Sequence, residues 1–331
     1  MTTNGKPKFS MYWAASCGGC EISVLNIHEK ILEVDANFEI VFWPVAMDAK
    51  YKDLEHMEDQ SILLTLFNGG IRNDENMEIA RLLRKKSQIL VAFGSCACEG
   101  GIPGLGNLGT VRSIFDTAYN TISTENPEKI FPQPLFSTPQ GDLHLPRMMQ
   151  VLKTLDQIVP VDYYMPGCPP EPHQIGAVID LVVQVLQGKA ELPPKGSVIG
   201  AGNSTVCDEC TRVRNEKKVK KFMRIQDIKL IDPELCLLEQ GIPCNGPATS
   251  SGCDARCPAV GAQCIGCYGP ASGVIDYGAR LISAFASVID SNDPEEIDDI
   301  LDTLPDPAGQ FYRFNLAKSL LRSSKYAWKG E

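Results

Sequence analysis

The sequence predicts an α/β protein: a doubly wound parallel sheet followed by a smaller, loop-rich unit with helices towards the C-terminus. Three observations carry that expectation. Short apolar runs alternate with helical patterns through the first 190 residues. Cysteines stand just past the ends of several of those runs, at Cys17, Cys20, Cys96 and Cys168. Residues 207–267 then lose the periodicity, turn rich in glycine and proline, and gather eight more cysteines.

Residues 8–15 read as a buried strand that runs into Cys17-Gly18-Gly19-Cys20. Two thiols separated only by glycine form a loop whose backbone can close around a large ligand, because glycine has no side chain to hold it off and tolerates positive φ. Residues 21–34 place Ile22, Val24, Leu25, Ile27, Ile31, Leu32 and Val34 against polar partners, the pattern of one amphipathic helix. Residues 38–43 read as the second strand, stopped by Pro44, and residues 61–67 as the third. A charged helix over 74–86 leads to a strand over 88–93 and to Gly94-Ser95-Cys96. A last strand, 161–165, ends in Pro166-Gly167-Cys168-Pro169-Pro170, and Pro172 suits the first turn of the following helix, where its missing N–H costs nothing. Repeated strand, loop and helix imply a parallel sheet, and ligands of such sheets lie beyond the carboxyl ends of the strands. Cys17, Cys20, Cys96 and Cys168 should therefore converge on one edge.

Residues 101–109 are too glycine-rich to promise regular structure and lack the lysine-serine ending of a phosphate loop. Residues 120–146 are polar and proline-punctuated, an excursion across the sheet edge. The expected domains are 1–190, a linker over 191–206, and 207–331. In the last, helices are expected over 274–289 and 294–304, and the aromatic run from Phe311 to Phe314 is expected to cap its own domain or dock on a partner.

A formal net charge of −10 argues against a nucleic-acid binder. No apolar run is long enough to span a membrane, and the N-terminus shows no secretory pattern, so the expected location is cytoplasmic. Thirteen cysteines in a chain of this size then suggest reduced, metal-binding thiols rather than disulfides. Four-cysteine zinc sites usually show two close pairs within one short module, whereas the first set here spreads from 17 to 168. Proline beside cysteine, as at Pro169, Pro243 and Pro258, recurs in ferredoxins, so iron–sulfur ligation is the stronger reading and zinc the rival. Cys98 reads as a small buried hydrophobe. His28, His56, His144 and His173 are scattered, and no acid–base or nucleophilic constellation emerges. Lys217-Lys218-Val219-Lys220-Lys221, after Arg212 and Arg214, is the basic cluster, a solvated face or a means of steering an acidic electron-transfer partner.

Cys17-Gly18-Gly19-Cys20-Glu21, Gly94-Ser95-Cys96-Ala97 with Gly100-Gly101, and Pro166-Gly167-Cys168-Pro169-Pro170 resemble the proximal-cluster motifs of [NiFe] hydrogenase small subunits. The resemblance extends over essentially the whole chain and implies a flavodoxin-like sheet that binds a cluster in place of flavin. It makes Cys17, Cys20, Cys96 and Cys168 the proximal ligands. Cys207-x-x-Cys210 stands where most members open the distal cluster with His-x-x-Cys, and Cys236 and Cys244 complete that set. Cys257 fills a position that many members give to proline, beside Cys253, Cys264 and Cys267. The resemblance thus implies three [4Fe-4S] clusters, with no nickel, flavin or nucleotide in this chain.

All-cysteine ligation and the ending from Asp306 to Phe314 resemble a cytoplasmic, methyl-viologen-reducing branch that does not reduce the deazaflavin coenzyme. That branch often works with heterodisulfide reductase. The resemblance implies an electron-transferring subunit, partnered by a large subunit that holds the nickel–iron centre and by a downstream iron–sulfur adaptor subunit of a heterodisulfide reductase complex. A quinone-reductase cousin carries adjacent cysteines where this chain has Cys17 and Cys20. A zinc-stapled interaction protein and a flavin-binding flavodoxin relative are the remaining alternatives.

Overall fold

The computed structural model describes residues 5–215 and 218–321; Lys217 of the basic cluster lies outside them. The chain begins with β1 (Lys8–Trp13), α1 (Gly19–Leu25), α2 (Ile31–Asn37), β2 (Glu39–Phe42), α3 (Tyr51–His56), β3 (Ile62–Asn68), β4 (Ile71–Asn73), α4 (Asp74–Lys86), β5 (Ser87–Phe93) and α5 (Gly94–Glu99). There follow α6 (Val111–Tyr119), β6 (Leu135–Thr138), β7 (Gly141–His144), β8 (Met148–Lys153), β9 (Tyr163–Met165) and α7 (Pro172–Leu186). The C-terminal part holds α8 (Val206–Glu209), α9 (Arg256–Ala259), α10 (Tyr277–Ala286), α11 (Pro294–Asp302) and α12 (Pro307–Tyr312).

Five strands form one sheet in the order β2-β1-β3-β5-β9, with every pair parallel. The order reverses between β1 and β3, which opens the crevice where such folds bind ligands. Helices cover both faces, as apolar strands buried on two sides require. Val24, Val34, Ile175 and Val182 of α1, α2 and α7 pack on one face. Leu54, Ile79, Ala80 and Leu83 of α3 and α4 pack on the other. Burying Met11 or Phe67 in these layers contributes about 1.5–3 kcal/mol each. Three hydroxyls cross the middle of the sheet, with Ser10 Oγ 2.5 Å from Thr65 Oγ1 and Thr65 Oγ1 2.5 Å from Ser87 Oγ, so none is left unpaired.

The strands and α4 follow the sequence closely, and other elements differ for local reasons. The single helix expected over 21–34 is broken, because His28 adopts φ 56° between α1 and α2. Ile22, Leu25 and Leu32 are exposed. The helix expected over 274–289 starts only at Tyr277, where Asp276 caps it by accepting from the Ala279 N–H at 2.9 Å. Residues 102–108 form a 3-10 helix rather than an irregular loop. Its Asn107 accepts from the Leu152 N–H at 2.8 Å and donates to the Leu152 carbonyl at 2.9 Å. Within 120–146, β6 and β7 pair as an antiparallel hairpin.

Residues 191–206 do not hang free. Tyr164 N–H donates to the Ser197 carbonyl at 3.1 Å and Ile199 N–H to the Tyr164 carbonyl at 2.8 Å, extending the edge at β9. A separate apolar core, built around Phe222, Ile242, Leu281 and Phe285, organises the C-terminal part, and Cys244 and Cys264 belong to it. The terminal aromatic run reaches back to the sheet. Phe314 and Ala317 are buried, the Phe314 carbonyl accepts from Gly101 N–H at 2.9 Å, and the Ala317 carbonyl accepts from Gln157 Nε2 at 3.1 Å. Among the described residues no helix is long and apolar enough to cross a membrane.

Candidate metal centres

Parallel strands deliver the first four thiols to one edge. Gly18, at φ 79°, caps α1 and turns the chain between Cys17 and Cys20. The loops after β1 and β3 are tied across the crevice by Ala15 N–H to the Gly70 carbonyl (3.1 Å) and Gly70 N–H to the Ala15 carbonyl (3.0 Å). Those after β5 and β9 are tied by Ser95 N–H to the Gly167 carbonyl at 2.8 Å and Gly167 N–H to Ser95 Oγ at 3.3 Å. Burial first, then the charges of Cys168 and Cys17, push the Cys96 thiol up to about 12. Burial raises Cys20 further, with Cys96, Cys168 and Cys17 adding to it. The four thiols are therefore close enough to feel one another. Glycines line the cradle: an ideal Cβ on Gly94 would lie 2.4 Å from Cys20 Sγ, and one on Gly101 2.5 Å from Cys96 Sγ. Beside them Ser16 Oγ is buried without a partner among the described residues. Glu21 is buried as well, and Asn68 Nδ2 donates to both its carboxylate oxygens at 3.0 and 2.9 Å.

Cys253, Cys257, Cys264 and Cys267 line a cavity of about 320 Å³, with Cys168 and Tyr268 also on its wall. Burial, then the charges of Cys253, Cys168 and Cys257, push Cys267 up to about 12, partly opposed by the Cys168 N–H. Ser95 Oγ donates to the Cys267 carbonyl, fastening this loop to the first set. The third group is Cys207 on α8, Cys210 at its end, Cys236 and Cys244. Burial, then Cys244 and Cys236, push Cys207 up to about 12, with Arg214 opposing. Burial raises Cys244 to about 11, relieved by the N–H groups of Gly246 and Cys264. Cys264 N–H lies 3.4 Å from Cys244 Sγ, which joins the second and third groups.

All thirteen cysteines are free. Among the described residues no three His, Cys, Asp or Glu side chains are grouped tightly enough to hold one metal ion. A tetrahedral zinc site draws its sulfurs to about 2.3 Å from a single ion, whereas a cube holds its four thiolates apart by its own width. Open thiol groups, side-chain-free glycines against the sulfurs and a cavity between four cysteines fit iron–sulfur clusters. Crowded, buried thiols resist losing their protons, and iron would supply the compensating positive charge.

Of the twelve thiols singled out from the sequence, Cys17, Cys20, Cys96 and Cys168 follow the sheet's strand ends, Cys253, Cys257, Cys264 and Cys267 line one cavity, and Cys207, Cys210, Cys236 and Cys244 lie on and around α8. Cys98 is fully buried, and its thiol lies 3.2 Å from the Ala92 carbonyl. Sequence reasoning missed Ser95 as the clasp between groups and Gly94, Gly101 and Gly246 as clearance for sulfur. The available signal was a glycine placed within five residues of each buried cysteine they serve or opposite it in another motif.

A parallel sheet with thiols beyond the carboxyl ends of three of its strands, followed by a loop-built, cysteine-rich part, is a scaffold suited to thiolate-bound metal clusters. Residues 17–182 match the family described as NADH ubiquinone oxidoreductase, 20 Kd subunit. The chain is 38% identical to the iron-sulfur subunit of the F420-non-reducing hydrogenase of Archaeoglobus profundus, over 96% of this chain and 99% of that protein. It is 34% identical to the corresponding F420-non-reducing hydrogenase subunit of Methanothermobacter marburgensis, over 96% of each. The Ni-Fe-Se hydrogenase of Desulfomicrobium baculatum has the same fold, with a TM-score of 0.51 and 20% identity over 80% of this chain and 95% of that one. The chain belongs to the family of F420-non-reducing hydrogenase small subunits and is an oxidoreductase subunit.

Proposed function

We propose that this chain relays electrons from dihydrogen, oxidised in a separate large subunit, through three [4Fe-4S] clusters to a downstream acceptor. Cys17, Cys20, Cys96 and Cys168 would hold the proximal cluster, Cys253, Cys257, Cys264 and Cys267 the medial, and Cys207, Cys210, Cys236 and Cys244 the distal. Such clusters accept and release one electron at a time, at potentials set in part by hydrogen bonds to their sulfurs. The single observation that carries the reading is the serial neighbourhood of the thiol groups: Cys168 shares a cavity wall with Cys267, and Cys264 N–H lies 3.4 Å from Cys244 Sγ. Backbone N–H groups, such as those of Gly246 and Cys264 beside Cys244, stand ready to stabilise sulfur charge.

Trp13, Ile22 and Leu25 are exposed beside the exposed Cys17, an apolar face suited to the large subunit. The acceptor fits an iron–sulfur adaptor of a heterodisulfide reductase complex, the partner implied by the family branch. Anaerobic isolation with the large subunit should give about twelve sulfide and about thirteen iron per pair of subunits, one of the irons belonging to the nickel–iron centre, and dihydrogen should bleach the visible absorption. About three zinc per chain with no sulfide would overturn the reading.

A further inference from the structure

The chain carries a net charge of −10, yet residues 210–224 hold seven basic residues against one acidic. The described part of that segment is hydrogen-bonded to the stretch of chain that carries part of the third thiol group. Val213 N–H donates to the Glu234 carbonyl at 2.7 Å and Cys236 N–H to the Val213 carbonyl at 2.8 Å. Met223 N–H donates to the Gly241 carbonyl at 2.9 Å, so the basic segment runs alongside the loop that bears Cys236 and leads to Cys244. Arg214 is near enough to Cys207 to stabilise its thiolate.

Burial alternates along the segment: Val219 and Phe222 point into the C-terminal core, while Lys218, Lys220 and Lys221 face solvent. Arg214, Arg224 and Lys229 are exposed too. Lys218 Nζ donates to the Ser287 carbonyl at 2.6 Å. Among the described residues, Arg214, Lys220, Lys221, Arg224 and Lys229 form no ion pair, whereas Lys30, Arg84, Lys86, Arg256 and Lys318 each have a carboxylate partner. Asp227, Asp232 and Glu234 are exposed acids beside the patch, fewer than its cations. Two large apolar side chains, Val213 at 54% and Leu230 at 87% exposure, stand among the cations. Cys207, Cys210 and Cys236 are half-buried and Cys244 is buried, so the third thiol group reaches towards solvent through its first three members.

We propose that this basic collar is the docking surface for an acidic, one-electron iron–sulfur protein or domain, which receives electrons at the edge marked by Cys210 and Cys236. The inference deepens the relay reading and rests on it. Unpaired cations around an apolar centre steer an oppositely charged partner and fix its orientation, with the larger effect on association rate. A nucleic acid or an anionic membrane would also meet positive charge, but neither accounts for its placement around half-exposed redox thiols. The electrons balance simply: each dihydrogen oxidised gives two protons and two electrons, which reduce two molecules of a one-electron acceptor.

The test uses the intact complex of this chain with its large subunit and, as probe, an acidic [4Fe-4S] ferredoxin. Equilibrium binding and dihydrogen-dependent ferredoxin reduction are measured from 20 to 500 mM NaCl. The triple variant Lys220→Glu/Lys221→Glu/Arg224→Glu should weaken binding and kcat/KM by about tenfold or more at low salt. The difference should close at high salt, while reduction of methyl viologen, a small dication, stays at the wild-type rate. Lys189→Glu, an exposed reversal on the sheet part, serves as control and should change neither. Ferredoxin binding that ignores the triple reversal, or that is insensitive to salt, overturns the proposal. So does wild-type binding to phosphatidylglycerol vesicles or duplex DNA that is tighter than to ferredoxin and lost in the variant. Failure of wild-type complex to reduce methyl viologen with dihydrogen would instead count against the relay itself.

Discussion

Gly94→Ala separates a sulfur that is pinned from one that is free. Gly94 has φ +81°, and an ideal Cβ there falls 2.4 Å from Cys20 Sγ, while Asn68 Oδ1 and the Gly167 carbonyl lie at an ordinary 3.6 Å. Non-bonded heavy atoms rest at about 3.5–4.0 Å, so the sulfur must retreat by roughly 1.5 Å. The left-handed backbone costs an alanine about 1–2 kcal/mol besides. Gly188 isolates that second cost, because its φ is +68° and nothing lies within 4 Å of its Cβ position. A free Cys20 could turn about χ1 and let both variants lose only the backbone cost. A Cys20 bound to iron cannot turn away. We therefore expect Gly94→Ala to lose one cluster, falling from about twelve to about eight iron per chain, while Gly188→Ala keeps the full complement. The assay is anaerobic iron and sulfide determination with thermal melts of both variants. Full iron in Gly94→Ala, with a melting shift equal to that of Gly188→Ala, would refute ligation through Cys20.

Cys257→Pro should leave three ligands in the second group and convert it to a three-iron centre, with about eleven iron per chain and a raised potential; an unchanged reduced spectrum would refute the assignment. Cys98→Ala should cost about 1 kcal/mol of stability and no iron, since Cys98 packs into the core between α5 and the sheet, among Leu90, Ala92 and Leu155; loss of iron would make it a ligand. Glu99 is pushed up to about 7, first by burial and then by Asp156, with Lys318 opposing. The unfolded carboxyl ionises near its ordinary value while the folded one keeps its proton to about 7, so the wild type should lose about 3 kcal/mol as pH rises from about 4 to about 7. Glu99→Gln should lack that slope in denaturant midpoints, and parallel slopes for the two proteins would show that Glu99 does not titrate in this range.

Much of this was legible in the sequence because parallel strands announce themselves as unbroken apolar runs. The runs around Met11, Leu66 and Val91 each end within a few residues of a loop the site uses, and strand order then forces Cys17, Cys96 and Cys168 together. The break at His28 was not legible, since a left-handed residue between two helical patterns leaves the apolar spacing intact. Nor was the return of Phe314 and Ala317 to the sheet, a contact that depends on Gly100 and Gly101, more than two hundred residues earlier. The C-terminal thiols lacked any periodicity to place them. Their grouping follows from single contacts, such as Cys264 N–H to Cys244 Sγ, that spacing cannot encode.

The two ends of the thiol series differ in kind, and the difference predicts how each partner responds to salt. Around Cys17 the exposed groups are Trp13, Ile22 and Leu25, and interfaces built on apolar contact belong to lasting complexes. On the side of Cys210 and Cys236 they include Arg214, Lys220, Lys221 and Arg224, which form no ion pair among the described residues, and whose attraction fades beyond a Debye length of about 10 Å at 0.1 M salt and about 3 Å at 1 M. Raising NaCl from 20 to 500 mM should therefore release an acidic acceptor while leaving the pair of small and large subunits intact, or tightened, because burial of apolar surface does not weaken with screening. Size-exclusion chromatography at the two salt concentrations reads both contacts in one experiment. A large subunit that dissociates in salt while the acceptor stays bound would reverse the assignment of the two faces.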